Sequence, residues 1–128
     1  AQTLGLNSCW VAMTFSKGAA KKNLEIATGE KLVVVIALGY GTTQGVAHKT
    51  KSVEELSAAD GPMPAWFKSG IEAAMLAPTA MNQQKFKITL VGENAEAESL
   101  GGFYSKVDLG IVKYHFEVGS GKGPSVWA

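Results

Sequence analysis

The spacing of apolar positions changes several times along the chain, and each change marks an element. Residues 1–6 read as the tail of a helix that stops near Gly5 or Asn7, residue types that commonly close helices. Residues 8–15 form an apolar connector rich in Trp, Cys and Met. Residues 18–28, with lysines on a wet face, suit a short helix closed by Gly29. Then Lys31-Leu32-Val33-Val34-Val35-Ile36-Ala37-Leu38-Gly39-Tyr40 is a β-branched run without polar alternation. Such a run predicts a central strand covered on both faces, as in an α/β sheet.

Gly39-Tyr40-Gly41-Thr42-Thr43 ends that strand in a loop, where ligand contacts tend to collect. Ser52-Val53-Glu54-Glu55-Leu56 is a capping-box pattern, with Ser52 as N-cap and Glu55 at the third helical position. Asp60-Gly61-Pro62-Met63-Pro64 breaks the chain and is the best internal boundary, separating residues 1–60 from 61–128. From Pro64, apolar residues at Trp66, Phe67, Ile71, Ala74 and Met75 keep helical spacing up to Pro78. Phe86, Ile88 and Leu90 alternate with Lys85, Lys87 and Thr89, a half-buried strand. Residues 92–102 read as loop. Val107, Ile111, Tyr114, Phe116 and Val118 predict a helix with one apolar face. The order predicted is α, loop, α, β, loop, α, α, β, α: an α/β (α+β) fold with a central sheet and helices packed on both faces.

Composition narrows the chemistry mainly by exclusion. The chain has 128 residues, 46% of them hydrophobic and 18% charged, ordinary values for one globular domain with a real core. A net charge of +1 offers no argument for nucleic acid or membrane binding. Cys9 is the sole cysteine, so no internal disulfide forms, and a buried inert thiol is expected there. The longest apolar run, residues 32–38, is too short to span a bilayer, and no signal-peptide pattern opens the chain. The expected location is cytoplasmic. A start without Met and an abrupt stop suggest a piece of a longer chain; a complete small protein with a processed start is the alternative.

His48 and His115 lack the partners a metal site needs, so no metal ligand is assigned and an exposed His48 is expected. Asp108 reads as a helix N-terminal residue, favourable against the helix dipole. No Ser-His-Asp, paired-carboxylate or Gly-Lys-Ser/Thr signature is present, and no catalytic residue is assigned.

Three stretches together resemble the nitroreductase family. Leu4-Gly5-Leu6-Asn7-Ser8-Cys9-Trp10-Val11 is similar to a family helix end of Gly-Leu-Gly-Thr-Cys-Trp-Ile-Gly type. Gly29-Glu30, the strand run to Gly41, and Lys49-Thr50-Lys51 resemble the family's penultimate strand, its Gly-Tyr-Pro turn and a following basic pair. Ala77-Pro78-Thr79-Ala80-Met81-Asn82-Gln83-Gln84 matches the family's Ala-Pro-Ser-Ala-x-Asn-x-Gln loop most sharply. The resemblance covers residues 1–56 and 64–119.

The motif order departs from an ordinary member. Residues 1–60 look like a C-terminal-type half of one nitroreductase-like unit, and residues 61–128 like an N-terminal-type half of the next. Asp108-Leu109-Gly110-Ile111 resembles the segment expected just before Ala1. The chain is therefore similar to a single-chain branch in which one polypeptide replaces the usual homodimer. The family's Arg-Arg-Ser-x-Arg stretch has no counterpart here.

The resemblance implies FMN as cofactor and NAD(P)H as hydride donor, with a nitro compound or quinone, a small aromatic acceptor, as oxidant. It places Lys49 and Lys51 at the phosphate; the alternative is a solvated basic loop. It places Pro78, Thr79, Ala80, Asn82 and Gln84 along the flavin ring edge; the alternative is that Asn82 and Gln84 cap the loop backbone. Ser8 and Trp10 would lie near the ring, mostly through backbone groups, unless Trp10 is simply core. The resemblance also implies a homo-oligomer, or a missing N-terminal half of the same protein. A flavin-binding or structural half-domain without catalysis is the other reading.

Overall fold

A computed structural model describes residues 1–128, which fall into two compact units, Ala1–Val46 and Ala47–Ala128. This division by compactness differs in kind from the half-repeat boundary expected at residue 60, which rests on motif order.

In the first unit, a 3-10 turn at Gln2–Leu4 closes on Gly5, whose φ of 72° is the left-handed conformation glycine adopts at no steric cost. Strand β1 (Asn7–Val11) pairs antiparallel with β2 (Val35–Gly39), Asn7 opposite Gly39 and Val11 opposite Val35. Between them, helix α1 (Lys17–Lys21) is N-capped by Ser16, whose Oγ accepts from the Ala19 N–H at 3.2 Å.

Several expectations change here. Residues 7–11 are a strand rather than a connector, because the β2 backbone next to them supplies ladder partners. Helix α1 stops at Lys21, far short of residue 28: it has no apolar face to bury, and propensity alone holds few turns. The strand over residues 31–40 shortens to Val35–Gly39 and lies open: Ile36 is 48% and Leu38 61% exposed. No residue of this unit is buried. A two-stranded ribbon has no second layer of its own, so an apolar run on it signals a need for cover without supplying it. Cys9 is accordingly exposed, not buried, and Trp10 is not core.

The second unit holds the core. Helix α2 (Val53–Leu56) opens with the expected capping box: Ser52 Oγ accepts from Glu55 N–H at 3.3 Å, and Glu55 Oε2 accepts from Ser52 N–H at 2.9 Å. Lys87 Nζ donates to the Glu54 and Glu55 carbonyls, closing its other end. Strand β3 (Ser57–Ala58) pairs parallel with β4 (Phe86–Val91), and β4 pairs antiparallel with β5 (Asn94–Ser99), giving a mixed sheet ordered β3-β4-β5. Residues 94–99, where the pattern predicts loop, form β5 because Ala95 and Ala97 turn inward while Glu96 and Glu98 face water.

Helix α3 (Ala65–Ala74) runs from Pro64 as expected, and α4 (Ser105–Ser120) packs against it. Their approach is close at two glycines. A Cβ on Gly70 would stand 2.6 Å from the Phe116 ring, and one on Gly119 would collide with Ala73 Cβ. Phe67 and Phe116, both fully buried, meet edge-to-face with ring centroids 5.5 Å apart. Leu56, Ile71, Phe86, Ile88, Val112 and Val126, with Ala74, Ala77 and Ala95, complete that core. Trp127 then caps it, its Nε1 donating to Glu117 Oε1 at 2.6 Å. No helix is long and apolar enough to cross a membrane.

Candidate functional site

Parallel pairing of β3 with β4 has a topological consequence. Two parallel strands begin at the same end of a sheet, so the segments leading into them meet there. The segment before α2 and β3 carries Lys49 and Lys51; the one before β4 carries residues 78–84. The sequence-predicted phosphate pair and ring-edge loop, well separated along the chain, thereby come together.

The junction is hydrogen-bonded rather than merely adjacent. Gln84, 4% exposed, accepts from Lys51 N–H at its Oε1 (2.9 Å). Its Nε2 donates to the Lys49 carbonyl (2.8 Å) and to Asn82 Oδ1 (2.9 Å). Asn82 Nδ2 also donates to the Lys49 carbonyl, at 3.0 Å. Lys51 Nζ donates to the Gln84 carbonyl at 3.1 Å. Thr79 Oγ1 accepts from Gln84 N–H at 3.1 Å, closing the loop on itself. The amides of Asn82 and Gln84 are thus turned onto backbone of the two segments, the capping arrangement named above as the alternative.

The loop's backbone is unusual. Around the 3-10 turn Ala80–Asn82, Met81, Asn82 and Gln84 have φ of 53°, 52° and 45°. Asn tolerates this region; for Met and Gln it costs on the order of 1 kcal/mol or more each, and it persists only where surroundings over-determine it. Gln84's bonds supply part of that determination. The rest comes from α4. Asp108, 8% exposed in its first turn, accepts from Ala80 N–H at Oδ1 (2.9 Å) and from Gln83 Nε2 at Oδ2 (2.6 Å). Gln83 Nε2 also donates to the Phe103 carbonyl at 2.7 Å. Sequence reasoning places Asp108 at the helix start but misses this contact, and it gives Gln83 no role; the motif holds Gln83 only as a variable position.

Chemically the junction suits an anion. Lys49 is exposed, and its side chain enters none of the loop's hydrogen bonds. His48, half-buried rather than exposed as expected, bonds the Lys49 carbonyl through Nδ1 at 3.1 Å. Its Nε2 is buried without a partner, a polar atom that burial normally forbids leaving unmatched. Residues 48–51 therefore offer the ammonium groups of Lys49 and Lys51 beside a stiff loop with exposed Pro78 and half-buried Thr79 and Ala80; with Nδ1 donating to a carbonyl, the other nitrogen of a neutral His48 ring is an acceptor and adds no donor. That donor set fits a phosphate such as the one FMN carries. Nearby, the Glu54 carboxyl is held below its ordinary range by its own backbone N–H first and then by the Ser52 hydroxyl.

Ser8 and Trp10 belong to the other unit, on β1 opposite Leu38 and Ile36, and both are exposed. The Gly39–Thr43 turn of that unit is anchored by Asn7, whose Oδ1 accepts from Gly41 N–H at 2.9 Å.

Residues 1–120 match the family model described as "Putative TM nitroreductase". Among solved structures, a putative nitroreductase from Thermotoga maritima superposes with a TM-score of 0.63 at 22% identity, over 89% of this chain and 46% of that one. The likeness shows a nitroreductase-like α/β (α+β) fold, and this chain spans about half the length of that protein. No curated protein matches.

Proposed function

Because the chain belongs to the nitroreductase family, whose model covers residues 1–120, we propose that it builds one wall of an FMN site in an FMN-dependent oxidoreductase. In this reading Lys49 and Lys51 face the phosphate, and the loop of residues 78–84 borders the ring. Bound FMN would accept hydride from NAD(P)H and pass reducing equivalents to a nitro compound or quinone, the chemistry belonging to the flavin. The protein's share is to bind, orient and shield. Thr79 would offer its hydroxyl to the ring edge and Ala80 its methyl group, the Ala80 N–H being held by Asp108, while Asn82 and Gln84 act one step back by fixing those groups. By the family resemblance, Ser8 and Trp10 would add backbone groups near a ring.

The observation that supports this reading is the Gln84 junction. Two segments that resemble flavin-binding motifs, remote in sequence, are bonded to each other by a buried amide that satisfies both. A second nitroreductase-like half, in a partner copy or in the same polypeptide, would complete the slot; residues 1–60 and 61–128 would each be half of such a unit.

One observation favours a non-catalytic or structural half-domain instead. All 12 cationic side chains are lysines, so no guanidinium fork is available here for the phosphate. Titrating the purified chain with FMN separates the readings. The proposal expects quenching of flavin fluorescence at micromolar FMN, then NAD(P)H oxidation with a quinone or nitroaromatic. Uptake of FMN without turnover supports the binding module; no uptake at all contradicts both flavin readings.

A further inference from the structure

Asp108 is the one buried carboxylate of the chain, and both of its oxygens are spent on the loop before β4. A buried carboxylate is costly unless it is hydrogen-bonded, so this arrangement ties α4 and the loop to a common geometry. The donors it holds, Ala80 N–H and the Gln83 amide, flank Met81 and Asn82, two of the loop's three residues in left-handed conformation. Gln83 carries the link on to the Phe103 carbonyl. At Gly102, with φ of 107°, an added Cβ would run into the Gln83 amide oxygen, so the chain leaves room for that side chain.

We propose that Asp108 is a positioning residue for flavin binding, holding residues 79–84 in their left-handed turn so that Thr79 and Ala80 present to the ring. This rests on the FMN reading above. Preorganisation of this kind raises affinity by removing the ordering cost from the binding step. The carboxylate is required because it offers two acceptors to two donors. An asparagine of the same size would place an NH2 group against either the Ala80 N–H or the Gln83 amide.

The test compares the full-length chain with Asp108→Asn, Asp108→Asn/Gln83→Glu and, as a control remote from the loop, Val126→Ala. FMN affinity is read by fluorescence, Tm by calorimetry, and exchange of the Ala80 amide proton by NMR without flavin. The expected result is a tenfold or greater weakening of FMN binding in Asp108→Asn and faster Ala80 exchange. The double variant restores the 108–83 bond with its direction reversed but sets a carboxylate against the Phe103 carbonyl, so Ala80 exchange should slow again toward wild type while the affinity stays below it. Val126→Ala should lower Tm and leave the affinity within twofold. Wild-type affinity in Asp108→Asn, or equal weakening in Val126→Ala, overturns the proposal. If the wild-type chain takes up no FMN, the flavin reading fails and the positioning role falls with it. Ala80 exchange then decides whether Asp108 fixes the loop at all.

Discussion

At the scale of single residues, Gln84 does the most. Its buried side chain pairs Lys51 N–H, the Lys49 carbonyl and Asn82 Oδ1 at a part-buried junction. Gln84→Ala strands those groups and should cost about 1–3 kcal/mol, the penalty for leaving buried polar groups unmatched, measurable by urea unfolding. Gln84→Glu should be at least as damaging, because a carboxylate cannot donate to the Lys49 carbonyl. Lys49→Ala is expected to behave oppositely: stability unchanged, since the group is exposed, but FMN binding weaker and less dependent on salt. Sequence motifs single out residues that meet at this junction, yet not their division of labour. An amide in a loop reads the same whether it faces a ligand or its own backbone, and only the parallel β3–β4 pairing shows which backbone lies within reach.

At the scale of elements, the chain is legible wherever apolar spacing is set by burial within its own unit. Helix α3, strand β4, helix α4 and the Ser52 capping box follow the pattern of Trp66, Phe67, Ile71, Phe86, Ile88 and Phe116. Strand β5 escapes because Asn94-Ala95-Glu96-Ala97-Glu98-Ser99 alternates small with charged residues of low strand propensity; pairing to β4 overrides that preference. Strand β1 escapes because its apolar residues sit on an uncovered ribbon and show no alternation. The α3–α4 contact gives a sharp test. Gly70→Ala pushes a methyl into the Phe116 ring and should cost about 1–3 kcal/mol, the usual range for overpacking, seen as a lower Tm. Ser52→Ala removes the N-cap and should cost about 1 kcal/mol.

At the scale of the whole molecule, burial is unequal. Every core residue lies in the unit Ala47–Ala128, while Ala1–Val46 buries none. Trp10, Ile36 and Leu38 in the first unit, and Tyr114 and Val118 on α4, leave large apolar side chains in solvent. Hydrogen exchange on the chain alone should therefore show protected amides in β4, α3 and α4 and near-unprotected ones in β1 and β2. On the proposal that a second nitroreductase-like half completes the slot, adding that half should raise protection on the ribbon. Equal protection in both units would contradict the placing of stability in the second.

The most direct test of the flavin assignment is to titrate FMN into the isotopically labelled chain and follow backbone amide resonances. Lys49, Lys51 and residues 79–84 are expected to shift together on one saturation curve, while the core amide of Val126 stays still. Saturating FMN that leaves those resonances unmoved, or moves a separate set elsewhere, would contradict the assignment.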